Sequence, residues 1–173
     1  MTRVLNLGCG RDLMAGAVNV DISPDVGADV VCDLSRRPWP FPDDSFDVIH
    51  AQDVIEHLPD TLAAFEEIHR VCAPGATVHV TVPHFSSANA YADPTHLRFF
   101  SHSTFDFFTE TSEQPHYTRA AFRVRRRALV FEGRLLGRLV WKLANRSPRT
   151  YEKRFAWVYP ALLVSAELEA VKH

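Results

Sequence analysis

The stretch Val4-Leu5-Asn6-Leu7-Gly8-Cys9-Gly10 decides how the rest of the chain is read. An apolar run with strand character passes straight into two glycines separated by one small residue. Glycine lacks a Cβ, so a strand ending in Gly-x-Gly can turn sharply and let a ligand approach the backbone itself. Two sites use such a turn. One is the dinucleotide fingerprint G-x-G-x-x-G, but here Arg11, Asp12 and Leu13 follow Gly10 and the third glycine is missing. The other is a nucleoside site with no pyrophosphate to cradle.

The segments that follow favour the nucleoside. Alternating strand and helix signals place strands at 3–7, 17–21, 28–33, 46–52 and 76–82. They are short, valine-rich and not strictly alternating, as in a parallel sheet covered on both faces. A helix is predicted over 60–72, where Leu62, Phe65, Ile68 and Cys72 share one face, Asp60 caps the start and Pro74-Gly75 stops it. Asp21 ends the second strand, where a carboxylate can accept from both ribose hydroxyls. Asp33 ends the third, where it can accept from an adenine amino group, with the Leu34 N–H available to a ring nitrogen. Gln52 ends the fourth strand beside the same crevice.

Composition bounds the alternatives. With 46% hydrophobic residues in 173, the chain can build a full core, and no apolar run reaches the ~20 residues of a membrane-spanning helix. The first apolar run is short and ends in glycines, which does not suit a leader peptide. Cys9, Cys32 and Cys72 are widely spaced, with no CxxC pair, so reduced thiols and a cytoplasmic setting are expected. The net charge of -2 hides an asymmetry: residues 117–160 hold twelve of nineteen Lys and Arg but two of twenty-one acids.

The segments "LNLGCG", "VNVDIS", "VCDL", "PFPDDSFDVIHAQDVIEHL" and "RVCAPGATVHVTVP" appear in an order that resembles the class I S-adenosylmethionine-dependent methyltransferases. The match covers residues 3–83, and "DPTHLRFFSHSTF" (93–105) is similar to a segment of small members associated with glycan or natural-product methylation. The resemblance implies an α/β fold, a Rossmann-like three-layer α/β/α sandwich whose sheet is mostly parallel with an antiparallel terminal strand. It implies one domain over 1–173, with a cofactor-binding half at 1–83 and an acceptor-side loop, basic helix and closing hairpin at 84–173. S-adenosyl-L-methionine would be the cofactor and S-adenosyl-L-homocysteine the product. Leu7, Gly8, Cys9, Gly10, Asp21, Ile22, Asp33, Leu34 and Gln52 would contact the cofactor. The acceptor would be a small molecule, through a hydroxyl or amine of a saccharide or natural product. Only ten residues separate Gly10 from Asp21, too few for the usual intervening helix. An open cleft is therefore expected, closed by the 83–100 loop, the 133–160 segment or a second subunit.

Methyl transfer from a sulfonium is an in-line displacement in which the protein mainly aligns the reactants. A hydroxyl acceptor also needs a base or a metal ion. The catalytic candidates are His84, His96 and Asp53, which follow the fourth and fifth strands. Asp53, Glu56 and His57 fall at i, i+3 and i+4, on one helical face. With the later Thr-His they look like the metal-binding set of ubiquinone-pathway O-methyltransferases and of metal-assisted RNA 3′-end 2′-O-methyltransferases. Glu56, His57 and His96 are the metal candidates on that resemblance. "EHL" also occurs in the family without metal, with the histidine packing near the cofactor. His50, His69 and His79 read as structural. Phe85, Tyr91, Phe99 and Phe100 suit either an acceptor pocket or a core beneath a long loop.

Beyond residue 100 a short helix starts near Ser101 or Ser103. A strand is predicted over 121–132, with Arg123, Arg125 and Arg127 on one face, and a closing strand over 161–171. Between them lies a helix, 133–145, with Arg134, Arg138 and Lys142 on one stripe and Leu135, Leu136, Leu139, Val140 and Leu143 on the other. Its uses would be peripheral contact with an anionic membrane, cover for an acidic substrate, or simply a solvated outer face. No nucleic-acid recognition module is evident, and the sequence leaves homo-oligomerisation open. Two alternatives to simple methyl transfer stand: a metal-assisted O-methyltransferase and a non-catalytic cofactor-binding partner subunit.

Overall fold

The computed structural model describes residues 2–114, 116–133 and 135–172. Seven strands form one sheet: β1 (Val4–Leu7), β2 (Ala17–Asp21), β3 (Val30–Val31), β4 (Phe46–Gln52), β5 (Cys72–Pro83), β6 (Phe122–Val130) and β7 (Leu163–Ala170). Their order is β3-β2-β1-β4-β5-β7-β6. The first five run parallel and β7 pairs antiparallel with both β5 and β6. This is the expected α/β Rossmann-like fold with an antiparallel end. The order reverses between β1 and β4, so the crevice outside their carboxyl ends is where such sheets bind ligands.

Side-chain alternation divides the sheet sharply. Leu5, Leu7, Val20, Ile49, Ala51, Val78, Val80, Val82, Val164 and Leu168 lie on one face and are buried. Helix α1 (Thr61–Val71) and the 3-10 segment His102–Phe108 supply the aromatics of that core, with Phe65 stacked 4.1 Å from Phe108 and edge-on to Phe105 and Phe122. Asn6, Asn19, His50, His79 and Glu167 share the other face, and the last three are only half-buried. Cover was expected on both faces and is unequal. The physical reason is the length of the connections: residues 8–16, 22–29 and 32–45 contain no α-helix, only the single 3-10 turn Pro24–Val26.

Two α-helices fall where the sequence showed none. α2 (Asn89–Ala92) is a short helix inside the expected 83–100 loop and α4 (Pro148–Arg154) follows the basic helix, while the helical turn expected around Glu56 and His57 is a 3-10 turn at Ile55–His57. The basic helix α3 is Leu135–Arg146. The expected arginine stripe on β6 is broken by a bulge between Val124 and Arg126. Arg123 and Arg125 pair with Glu169, while Arg127 turns to the opposite face and meets Asp106 at 2.7 Å. β6 is a sheet edge. There the Asn145 side chain accepts from the Leu129 N–H at 2.8 Å and donates to the Leu129 carbonyl at 2.9 Å.

Candidate functional site

The turn after β1 is set by its glycines for different reasons. Gly8 has φ +61, and a Cβ there would lie 2.4 Å from a Val54 methyl, so close packing of the β4 loop excludes any side chain. Gly10 has φ +49 and open space where a Cβ would stand. That space lies at the carboxyl end of β1, where the backbone is exposed to an approaching ligand. The Gly10 N–H donates to Asp21 Oδ2 and the Ser23 N–H to Oδ1, each at 2.9 Å. Each carboxylate oxygen keeps a lone pair, which leaves acceptor capacity for two hydroxyls.

The short connection 8–16 is held by residues the sequence reading passed over. Asn6 donates from Nδ2 to the Asp12 carbonyl and to Asn19 Oδ1, each at 3.0 Å. Asn19 Oδ1 also accepts from the Met14 N–H, and its amide donates to Asp29 at 2.9 Å. The Asn19 bonds hold the Asp29 carboxyl below its ordinary value. The available signal was two asparagines inside otherwise apolar strands, where a polar group needs partners.

Leu7 and Cys9 are buried at the turn, Ile22 is exposed, and Gln52 is exposed at the end of β4. Burial, with the nearby Asp21 charge, pushes the Cys9 thiol up. Asp33 is otherwise engaged: its Oδ1 accepts from the Ser35 hydroxyl at 2.6 Å and N–H at 3.0 Å, and Oδ2 meets Arg36 at 3.1 Å. Ser35 and Arg36 together hold its carboxyl below its ordinary value. Leu34 is buried and its carbonyl accepts from the Trp39 indole. The 39–47 connection is pinned onto α1: the Trp39 N–H donates to Glu67, and Arg70 bridges Glu67, Asp43 and the Trp39 and Phe41 carbonyls.

A cleft of about 470 Å³ opens next to β4 and β5, lined by Asp53, Glu56, Asn89, Asp93, Pro94 and His96 among others. Asp53 has φ +48, a rare conformation for a non-glycine residue, and its N–H donates to the Thr81 carbonyl at 2.8 Å. Desolvation on the cleft side raises its carboxyl although the residue as a whole is exposed. Glu56 is 1% exposed, and neither carboxylate oxygen has a hydrogen-bond partner. Burial, reinforced by Asp53 and Asp93, pushes it up to about 7. His96 Nε2 lies 4.0 Å from Glu56 Oε1, and the His96 and His57 rings meet edge-on at 4.7 Å. One donor atom each from Glu56, His57 and His96 lies within 4.8 Å of the others. In both rings Nδ1 is already engaged, in His96 by the Ala90 carbonyl at 3.3 Å and in His57 by Thr95 Oγ1 at 2.9 Å. The Thr95 hydroxyl in turn donates to Asp93. Both rings therefore keep Nε2 for another partner.

His84 does not join Asp53 and His96. It is fully buried, with Nδ1 2.7 Å from Ser86 Oγ and Nε2 3.2 Å from Glu152 Oε1 on α4. Strand β5 runs on through Pro83 into a turn, and the buried His84 ring, bonded to Ser86 and Glu152, ties β5 to α4 and does not line the cleft. Glu152 also accepts from the His102 N–H. Burial alone would raise the Glu152 carboxyl, but the His84 and His102 bonds bring it below its ordinary value. His69 bonds the Val171 carbonyl and His50 stacks on His79 at 4.9 Å, as structural residues would. Among the aromatics, Phe100 is core, Tyr91 and Phe99 stack at the surface, and Phe85 lies between His84 and Trp157. A larger groove of about 1500 Å³ runs along 98–114 and contains none of the cofactor-side residues.

Comparison with known proteins agrees with this fold. Residues 5–80 match the family described as methyltransferase domain. A 52-residue stretch, 28% of this chain, is 36% identical to the cycloartenol-C-24-methyltransferase of Arabidopsis thaliana, of which it spans 16%. A crystal structure of a SAM-dependent methyltransferase from Archaeoglobus fulgidus matches 97% of this chain and 86% of its own, with a TM-score of 0.68 at 19% identity. The N-methyltransferase NodS from Bradyrhizobium japonicum WM9, solved with S-adenosyl-l-homocysteine, matches 99% of this chain and 79% of its own, with a TM-score of 0.60 at 13% identity.

Proposed function

We propose that this chain, whose residues 5–80 match a methyltransferase-domain family, is a class I S-adenosylmethionine-dependent methyltransferase that transfers a methyl group to a hydroxyl or amine of a small saccharide or natural-product acceptor. The observation that carries the reading is the Gly8-Cys9-Gly10 turn facing Asp21 at the carboxyl rim, next to the point where strand order reverses. Gly10 leaves room for the nucleoside, and Asp21, oriented by two N–H donors, accepts from the ribose hydroxyls. Leu7, Cys9, Ile22 and Leu34 flank it, and Gln52 stands on the methyl side. Asp33 reaches the adenine amino group if Arg36 gives way, which an exposed arginine can do. Asp53 and His96 share the acceptor cleft, and His96 Nε2 is the atom placed to take a proton from the acceptor.

Calorimetry with S-adenosylmethionine and S-adenosylhomocysteine tests the cofactor site. Binding is expected, and Asp21→Ala should weaken it by about 1–3 kcal/mol, the scale of a hydrogen bond to a charged group. No heat with either ligand would overturn the reading. Binding without turnover over saccharide and amine acceptors would favour a cofactor-binding partner subunit instead.

The unpartnered Glu56 carboxylate favours a second reading, in which a divalent ion assists O-methylation. One carboxylate and two imidazoles, each steadied at Nδ1, are a donor set that such an ion accepts. When bound it would lower the pKa of an acceptor hydroxyl. Glu56, His57 and His96 would hold it, with Asp53 beside the acceptor. Chelation that abolishes activity, with restoration by added divalent metal, supports this reading. Full activity in chelator removes it.

A further inference from the structure

The surface formed by α3, α4 and the segment to Val158 is unlike the rest of the molecule. Leu135, Leu136, Leu139 and Leu143 are 56–84% exposed, and Trp141, Phe155, Trp157 and Val158 are exposed with them. Helical spacing puts Leu136, Leu139 and Leu143 on one stripe, with Arg138, Lys142 and Arg146 along its flank. The expected cationic stripe also included Arg134, which lies outside the described residues. Gly137 and Ala144 are the residues that face the protein, and a Cβ at Gly137 would meet the Glu132 carbonyl at 2.2 Å. The helix is thus seated by its small residues and displays its large ones to solvent.

From 135 to 158 there are six cations (Arg138, Lys142, Arg146, Arg149, Lys153, Arg154) and one acid, Glu152, which is bonded inward to His84. The platform is rigid: Tyr151 Oη donates to the Tyr159 carbonyl at 2.8 Å and Tyr159 Oη to the Glu132 carbonyl at 3.0 Å. We propose that this face docks on an anionic lipid surface, with Leu136, Leu139, Leu143 and Trp157 entering the headgroup boundary and Arg138, Lys142 and Arg146, along the flank of the leucine stripe, meeting lipid phosphates and carboxylates. A second copy of the chain suits the face poorly. A symmetric contact would set the same patch against itself and bring like charges together. The face connects to the acceptor cleft through one turn, since Trp157 packs at 5.7 Å on Phe85, two residues beyond the cleft-lining Pro83.

The test is co-sedimentation of the full chain with phosphatidylglycerol/phosphatidylcholine vesicles and with pure phosphatidylcholine vesicles, without cofactor. Partition onto the anionic vesicles is expected, falling steeply as salt is raised, with a blue shift of tryptophan emission. Trp39 is buried and Trp141 lies across the helix from the leucine stripe, so the shift reports Trp157. Leu139→Ser/Leu143→Ser should weaken partition about tenfold or more, and Arg138→Gln/Lys142→Gln roughly 25-fold. All four positions are exposed, so the variants should fold as the wild type does. Absence of partition at low salt, or partition unchanged in both variants, overturns the proposal. So does a concentration-dependent dimer, seen by analytical ultracentrifugation, that the leucine variant dissolves while the wild type ignores vesicles. The assay contains no methyl donor, so this proposal and the methyltransferase reading can fail separately.

Discussion

Gly8 and Gly10 stand two residues apart in one turn, yet their substitutions separate stability from binding. Gly8→Ala drives a methyl into Val54 from a positive-φ backbone and should cost about 2–5 kcal/mol, the sum of an overpacking and a left-handed penalty. Gly10→Ala meets no neighbour, so about 1–2 kcal/mol is expected from conformation alone. Urea unfolding measures both. The Gly10 variant should also lose the larger share of its cofactor affinity for its loss of stability, because its methyl projects where the nucleoside approaches. At this scale the positions of Asp21 and Gln52 at the ends of β2 and β4 were readable in the sequence. His84 was not. A histidine just past a strand looks the same whether it faces the cleft or the interior, and the deciding partner, Glu152, lies far along the chain. Asn6 and Asn19 escaped notice for a similar reason: their meaning lies in a pairing between two strands.

Helix α1 shows what local sequence determines well. Asp60 accepts from the Ala63 N–H at 2.9 Å, and Phe65 and Ile68 of the predicted face are buried, while Leu62 is half-buried and Cys72 already belongs to β5. Asp60→Ala should therefore lower stability by about 1 kcal/mol, measurable as a shift in urea midpoint with an unchanged slope. The shorter elements were harder to read. α2 spans four residues and α4 seven, too few for an apolar period to repeat. The β6 bulge left no mark either, because an arginine run alternates equally well in either register. Helix α3 was recognised as amphipathic with its use left open, and the residues that seat it are a glycine and an alanine rather than the leucines. Small residues permit close approach, and a hydrophobicity pattern gives them little weight.

Across the whole molecule, the α/β class and the crevice could be derived from five ordered strand ends, whereas the unequal cover of the sheet depended on what short connections omit. No helix among the described residues is long and apolar enough to cross a membrane. Acid stability should carry the signature of His102. Burial, with Arg127 adding to it, brings its imidazole from 6.5 down to about 4. Between those values the unfolded chain binds the proton that the folded one refuses. The contribution is complete above about pH 6.5, shrinks as pH falls, and levels off near pH 4. Urea midpoints measured over that window should fall less in His102→Asn than in the wild type. The two bonds from Asn145 to the rim of β6 carry a different consequence. They occupy the outward-facing backbone groups of Leu129 that an incoming chain would use to extend the sheet. Asn145→Ala should thus leave the fold nearly as stable while shortening the lag before thioflavin-positive fibrils appear, because it bares one rung of the edge to a neighbouring chain.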